Sequence, residues 1–222
     1  MSSVNFRKTT TRRPFLNRQP QLLLQSNGMF LKKQKSSSVV YTVGAAVLKK
    51  VAEPIAVVTP EIRQLASEMM QAMRYFNGIG LAAPQYGKSL RLVVFDVPAD
   101  RSTGTAGEEY LLPRMPLAVI NPEIVMRSST LVEGEEGCLS VPGIYAPVVR
   151  PETVVFRAQT LDGEFFEYEC GGLLGRCIQH ELDHLDGFLF TDRVSPDVER
   201  RIRGDINRLK SSGQSCNFRR IK

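Results

Sequence analysis

"QHELDHLDG", residues 179 to 187, contains both histidines of the 222-residue chain, four positions apart, with Glu181 directly after the first. Residues four apart on a helix share one face and are separated by about 6 Å of rise. His180 and His184 can therefore present two imidazole nitrogens to one ion. This is the HExxH arrangement, in which the glutamate serves as base toward a metal-activated water. The stretch ends a longer helical run, "LLGRCIQHELDHLDG", which starts after Gly171-Gly172 and closes at Gly187. A helix with such a face needs other elements packed around it, and the rest of the chain must supply them.

Two ligands do not complete a catalytic centre, which typically has three protein ligands and an open position for water. The extended zinc-protease pattern HExxHxxGxxH is matched as far as Gly187 but has Phe190 where the third histidine belongs. A zinc endopeptidase using a downstream glutamate has only Glu199 to offer, and that residue falls in a separate helical run. A structural metal module would need a closed fourth coordination position or a disabled glutamate, and the presence of Glu181 argues against it. A third candidate is Cys138 in "EGEEGCLSVPGIY", a loop bounded by Gly and Pro. Glycine lets backbone approach an ion closely, and the charge of an ion keeps a thiol deprotonated. On spacing alone Cys138 is one plausible ligand among these options. Cys170 and Cys177 read as buried apolar residues, with Cys177 one turn before the metal face.

Upstream, "TPEIRQLASEMMQAMRYFNG" reads as an amphipathic helix with Thr59 as cap, Pro60 and Glu61 in the first turn and Asn77-Gly78 at its end. Its methionines read as core packing. "LRLVVFDVP" and "LAVINPEIV" are strands, joined by a polar loop, "ADRSTGTAGEEY". "TVVFRAQTLDGEFFEYEC" is a hairpin turning at Asp162-Gly163. A C-terminal helix starts at Ser195-Pro196-Asp197, and a basic flexible tail, residues 211–222, is expected to fray. The fold class is α+β: mostly antiparallel sheets packed around a central HExxH helix, with an N-terminal and a C-terminal helix.

Charge separates a leader from the body. Residues 1 to 52 contain no Asp or Glu, and eight of the 29 Lys and Arg lie before residue 41, leaving 21 bases against 23 acids. The net charge of +6 therefore belongs to the leader, and a specific nucleic-acid partner loses its support. A basic, Ser/Thr-rich, acid-free leader is the composition of a mitochondrial or plastid import sequence, assigned to residues 1–40 and expected to be disordered. No run of 18 apolar residues occurs, so no membrane span is expected. Four cysteines without CxxC spacing argue against a disulfide framework. "GIGLAAPQ", Gly78 to Gln85, formally fits a dinucleotide-binding pattern, but a helix precedes it and Pro84 interrupts the position where the pattern needs a second helix. The stretch reads instead as a small-residue segment open to close backbone approach, ending in an amide that can donate to an oxyanion.

In order along the chain, "GIGLAAPQ", "EGCLS" and "QHELDH" closely resemble the peptide deformylase family, from about Val43 to Leu209. The resemblance implies a catalytic domain over residues 41–210. It implies Cys138, His180 and His184 as metal ligands, Glu181 as catalytic acid/base, and Gln85 with the backbone N–H of Leu139 as oxyanion donors. It further implies that the segment at Ile79 and Gly80 pairs with substrate backbone, and that Ile79, Leu173 and Cys177 line the methionine pocket. The implied cofactor is one divalent ion, Fe(2+) or Zn(2+), and the implied substrates are N-formyl-methionyl nascent polypeptides. With the leader, these are expected to be organellar, with the organellar ribosome as a further expected partner and a monomer as the expected state. Arg176 departs from the apolar residue frequent in similar proteins, and "VGAAVLKK" replaces a Pro-Asp-like turn.

Overall fold

The computed structural model describes residues 38–212 and 215–218. The expected leader, except its last three residues, and residues 219–222 lie outside them. In chain order the elements are β1 (Ser38–Tyr41), α1 (Pro60–Tyr75), β2 (Gly80–Ala82), β3 (Leu92–Phe95), α2 (Ala106–Leu111), β4 (Leu117–Arg127) and β5 (Leu131–Cys138). They continue with β6 (Val141–Pro151), β7 (Val154–Thr160), β8 (Phe165–Cys170), α3 (Gly172–Leu185), α4 (Pro196–Ser212) and β9 (Ser215–Phe218). The strands form a five-stranded sheet ordered β2-β3-β4-β7-β8, a β5-β6 hairpin and a β1-β9 pair, every ladder antiparallel. The α+β class with antiparallel sheets is thus the observed one.

β3 explains how the layers stack. Its sequence, LVVF, is buried along its whole length because both faces of the sheet are covered. Successive side chains point to opposite faces. Leu92 and Val94 join Leu65, Met69 and Met73 of α1 in one apolar cluster. Val93 and Phe95 join Leu174, Ile178 and Leu182 of α3 in another. The methionine stripe of α1 is core, as expected. A third cluster packs Val141, Ala146 and Val148 of β6 against Val198 and Ile206 of α4. No helix among the described residues is long and apolar enough to cross a membrane.

Helix ends follow local chemistry. α1 closes with Asn77 at φ 55°, its N–H donating to Arg74 O and that of Gly78 to Met73 O. α3 closes the same way with Gly187 at φ 82°: Gly187 donates to His184 O and Phe188 to Asp183 O. The Asp162-Gly163 hairpin turn is present, with Gly163 at φ 91°.

Three expectations change. Thr59 makes no side-chain cap to the backbone of α1; its hydroxyl serves the Glu61 carboxylate instead. The expected loop after β3 contains α2, because Glu108 accepts hydrogen bonds from the backbone N–H and hydroxyl of both Thr103 and Thr105. The expected edges at residues 40 and 210 fall inside elements: β1 straddles the first, and α4 runs to Ser212 before residues 215–218 pair with β1. Two short segments with unpaired backbone groups satisfy each other as a ladder.

Candidate metal centre

The β5-β6 ladder is regular from Leu131↔Pro151 to Gly137↔Tyr145, then jumps to Cys138↔Val141. Residues 142–144 are left out of the ladder, and Gly143 at φ 75° accommodates the bend. Such irregularities re-aim side chains. Here Cys138 Sγ comes within 3.2 Å of His184 Nε2 on α3. The two imidazoles of α3 stand 4.9 Å apart between centroids. One ligand atom from each of Cys138, His180 and His184 lies within 4.8 Å of the other two, the single such cluster among the described residues.

A partner on the far side orients His180, whereas His184 Nδ1 is buried with no hydrogen-bond partner among the described residues. Glu136 Oε2 sits 2.9 Å from His180 Nδ1, so the remaining ring nitrogen, Nε2, is left for an ion. Glu136 is itself gripped by Arg150, whose Nε and Nη2 donate at 2.6 and 2.9 Å, and Arg150 Nη1 reaches Asp183 at 2.9 Å. Burial alone would raise Glu136, but hydrogen bonds from Arg150 and His180 outweigh it and hold the carboxyl at about 2. Burial works against charge on His180, yet Cys138 and Glu136 pull it well above the ordinary imidazole value. Burial presses His184 well below the ordinary value, into the neutral form that ligates. One thiolate and two imidazoles fit a divalent ion of intermediate softness.

Beside the cluster, Glu181 is 4% exposed, and burial lifts its pKa to about 7. Its Oε2 is buried with no hydrogen-bond partner among the described residues. Gly80 makes room for it: a Cβ there would lie 2.4 Å from Glu181 Oε1 and 2.8 Å from Cys177 Sγ. Gln85 is oriented from both ends. Its Oε1 accepts from the Ala82 N–H at 2.7 Å, which turns Nε2 toward Ser140 Oγ at 3.2 Å and Cys138 Sγ at 3.5 Å.

A cleft of about 530 Å³ opens onto these groups. Its lining includes Ile79, Gly80, Gln85, Cys138, Leu139, Leu173, Cys177, His180 and Glu181. His184 lies behind, 1% exposed. β2 is an edge strand of the five-stranded sheet, so Gly80 presents backbone along the cleft. All ten residues singled out in the sequence thus converge on one place.

The other ligand options do not. Phe190, where the extended protease pattern has histidine, is buried and stacks near His180 with ring centroids 6.1 Å apart. Glu199 is exposed on α4 and paired with Arg203. Sequence reasoning missed Glu136, Ser140, Arg150 and Asp183. Glu136 and Ser140 flank "GCL" in the motif, a usable signal, whereas nothing marks Arg150 as buried before the fold is known.

Residues 38–200 match the family model described as polypeptide deformylase. The chain is 43% identical over 176 residues to a Gloeobacter violaceus protein named peptide deformylase 2, covering 78% of this chain and 89% of that one. A crystal structure of Arabidopsis thaliana peptide deformylase 1B superposes with TM-score 0.68 at 34% identity, covering 78% of this chain and 90% of that one. One of peptide deformylase from Ehrlichia chaffeensis gives 0.70 at 34% identity, covering 80% and 97%.

Proposed function

This chain belongs to the peptide deformylase family, and from that premise we propose how its own residues carry out the metal-dependent removal of the N-formyl group from nascent peptides. Cys138, His180 and His184 hold the ion, and α3 is the central element because it supplies two of the three ligands and the base. When bound, a divalent ion, Fe(2+) or Zn(2+), supplies Lewis acidity and makes water acidic enough to be deprotonated near neutrality. Glu181 takes that proton on its carboxylate and later passes it to the leaving amine. Gln85 Nε2 and the Leu139 N–H donate to the carbonyl oxygen as it gains charge. The edge of β2 at Ile79 and Gly80 pairs with the peptide backbone as an added strand. Ile79, Leu173 and Cys177 receive the methionine side chain. The products are formate and a peptide with a free N-terminal methionine.

The observation that carries this reading is the meeting of three ligand atoms within 4.8 Å beside a buried, unpartnered carboxylate oxygen. It is tested by measuring metal content and formate release on the same preparations. Cys138→Ala should lose metal and activity together. Glu181→Gln should keep its metal and lose at least about 10²-fold in rate. A Cys138→Ala variant with full metal, or a Glu181→Gln variant with full rate, overturns the roles. Formyl-Met-Ala-Ser should turn over far faster than acetyl-Met-Ala-Ser; equal rates overturn the formyl preference.

The leader's composition supports import into a mitochondrion or plastid, and the cyanobacterial relative lends weight to the plastid. There the enzyme acts as a monomer on chains leaving the organellar ribosome.

A further inference from the structure

Arg176 stands on α3 one turn before His180, and none of the steps above uses it. Its guanidinium leaves the helix and crosses the β5-β6 hairpin. Nη1 donates to Glu136 Oε1 at 2.9 Å and to the Val148 carbonyl at 3.0 Å, and Nη2 donates to the Val132 carbonyl at 3.0 Å. One side chain thereby ties both strands of the hairpin to the helix. The hairpin carries Cys138; the helix carries His180 and His184. Three of its five N–H donors are committed to these contacts, while the residue also borders the cleft.

Gly134 is matched to this placement. A Cβ at Gly134 would lie 2.8 Å from Arg176 Cζ and 2.9 Å from its Nε and Nη2. The guanidinium therefore lies flat against bare backbone of β5. Its contact with Glu136 bears directly on the centre, because the same carboxylate holds His180 Nδ1. Arg150 grips Glu136 from β6, and Arg176 grips it from α3. The carboxylate is thus fixed between the two elements that must meet.

We infer that Arg176 is a positioning residue: through Glu136 and the hairpin carbonyls it sets Cys138 against His180 and His184, and so governs how firmly the centre keeps its ion. The inference rests on the ligand set proposed above. A residue that merely stabilised the fold would lower the melting temperature without changing the surroundings of the ion.

The test uses the enzyme loaded with Co(II), whose visible absorption reports thiolate and imidazole ligation, and follows cobalt loss to excess EDTA. Arg176→Leu should lose cobalt about 10- to 100-fold faster, the usual scale when a group orienting a ligand is removed, with a shifted spectrum. Arg176→Lys keeps the charge but not the fork and should fall between. Gly134→Ala should displace the guanidinium and speed cobalt loss in the otherwise native chain. On top of Arg176→Leu it should add nothing, because the group it displaces is gone. Should Arg176→Leu fail to fold, Gly134→Ala alone still reads the effect. Native cobalt loss and spectrum in Arg176→Leu and Gly134→Ala overturn the inference, as does a Gly134→Ala effect that multiplies fully onto Arg176→Leu. A Cys138→Ala arm separates the two levels. If it binds cobalt as the native chain does, the ligand set falls and this inference with it. If it loses cobalt while Arg176→Leu holds it normally, only the role of Arg176 falls.

Discussion

Glu181 and Gly80 illustrate how much depends on a single missing methyl group. The carboxylate has its place because Gly80 has no Cβ, and any side chain there meets Glu181 Oε1 and Cys177 Sγ below contact distance. Gly80 itself is not in the left-handed region, so Gly80→Ala tests crowding rather than backbone strain. That variant should keep its metal, which is held elsewhere, and lose about 10²-fold or more in rate as the base is pushed aside. Formate release and metal content measured together check this; a native rate would show that Glu181 has room to spare. Gln85→Leu makes a complementary case. It removes one donor without moving Glu181, and should lose about 10²-fold in turnover with metal retained. Both readings depend on geometry that one residue imposes on another.

At the scale of elements, α2 shows a short helix held by one carboxylate. Glu108 is buried and accepts from two backbone N–H groups and two hydroxyls. Burial would raise its pKa, but the hydrogen bonds from Thr105 and Thr103 outweigh it and leave the carboxyl below its ordinary value. A lowered folded value means that this stabilisation is present above the unfolded value and is lost as pH falls through the folded one. Glu108→Gln should therefore cost about 1–3 kcal/mol at neutral pH. The gap from the native chain should close as pH drops below the ordinary carboxylate range, measured by urea unfolding across pH. In α1, Met69 is fully buried, and Met69→Ala should cost about 2–5 kcal/mol in the same assay.

These elements also mark what is legible in the sequence. α1, α3, α4 and the β7-β8 hairpin are readable because periodicity, a proline and a turn dipeptide act locally. α2 carries a readable signal, Thr105-x-x-Glu108, hidden in a stretch of polar and glycine residues. Eight of the ten candidate site residues fall within three motifs of fixed local order, and Leu173 and Cys177 lie just before the third. The buried Glu136-Arg150-Asp183 grouping is not, since it joins β5, β6 and α3 across long separations in the chain. Likewise β1 and β9, four residues each, are too short to stand out as strands until the partner strand is known.

For the whole molecule, β1 moves the boundary at which the leader can be removed. Val40 is 1% exposed and reaches the cleft lining, so a cut at residue 41 removes a buried side chain and a strand. A chain starting at residue 37 should deformylate normally. One starting at residue 43 should lose about 1.5–3 kcal/mol from Val40 alone, visible as a lower unfolding midpoint. Fused to a reporter, residues 1–37 should carry it into an organelle; a reporter that stays in the cytosol removes the import reading and leaves the chemistry intact.

Cys138 and His184 lie 46 positions apart in the chain and 3.2 Å apart in space. An ion held as proposed above would be a cross-link as well as a catalyst, closing a long loop that the unfolded chain would leave open. Unlike a covalent staple, its strength depends on supply. Each tenfold rise in free metal above the dissociation constant adds about 1.4 kcal/mol to folding. The melting temperature should climb with the logarithm of free metal and flatten in Cys138→Ala. Where free metal is scarce, such a centre would lose fold reserve together with activity.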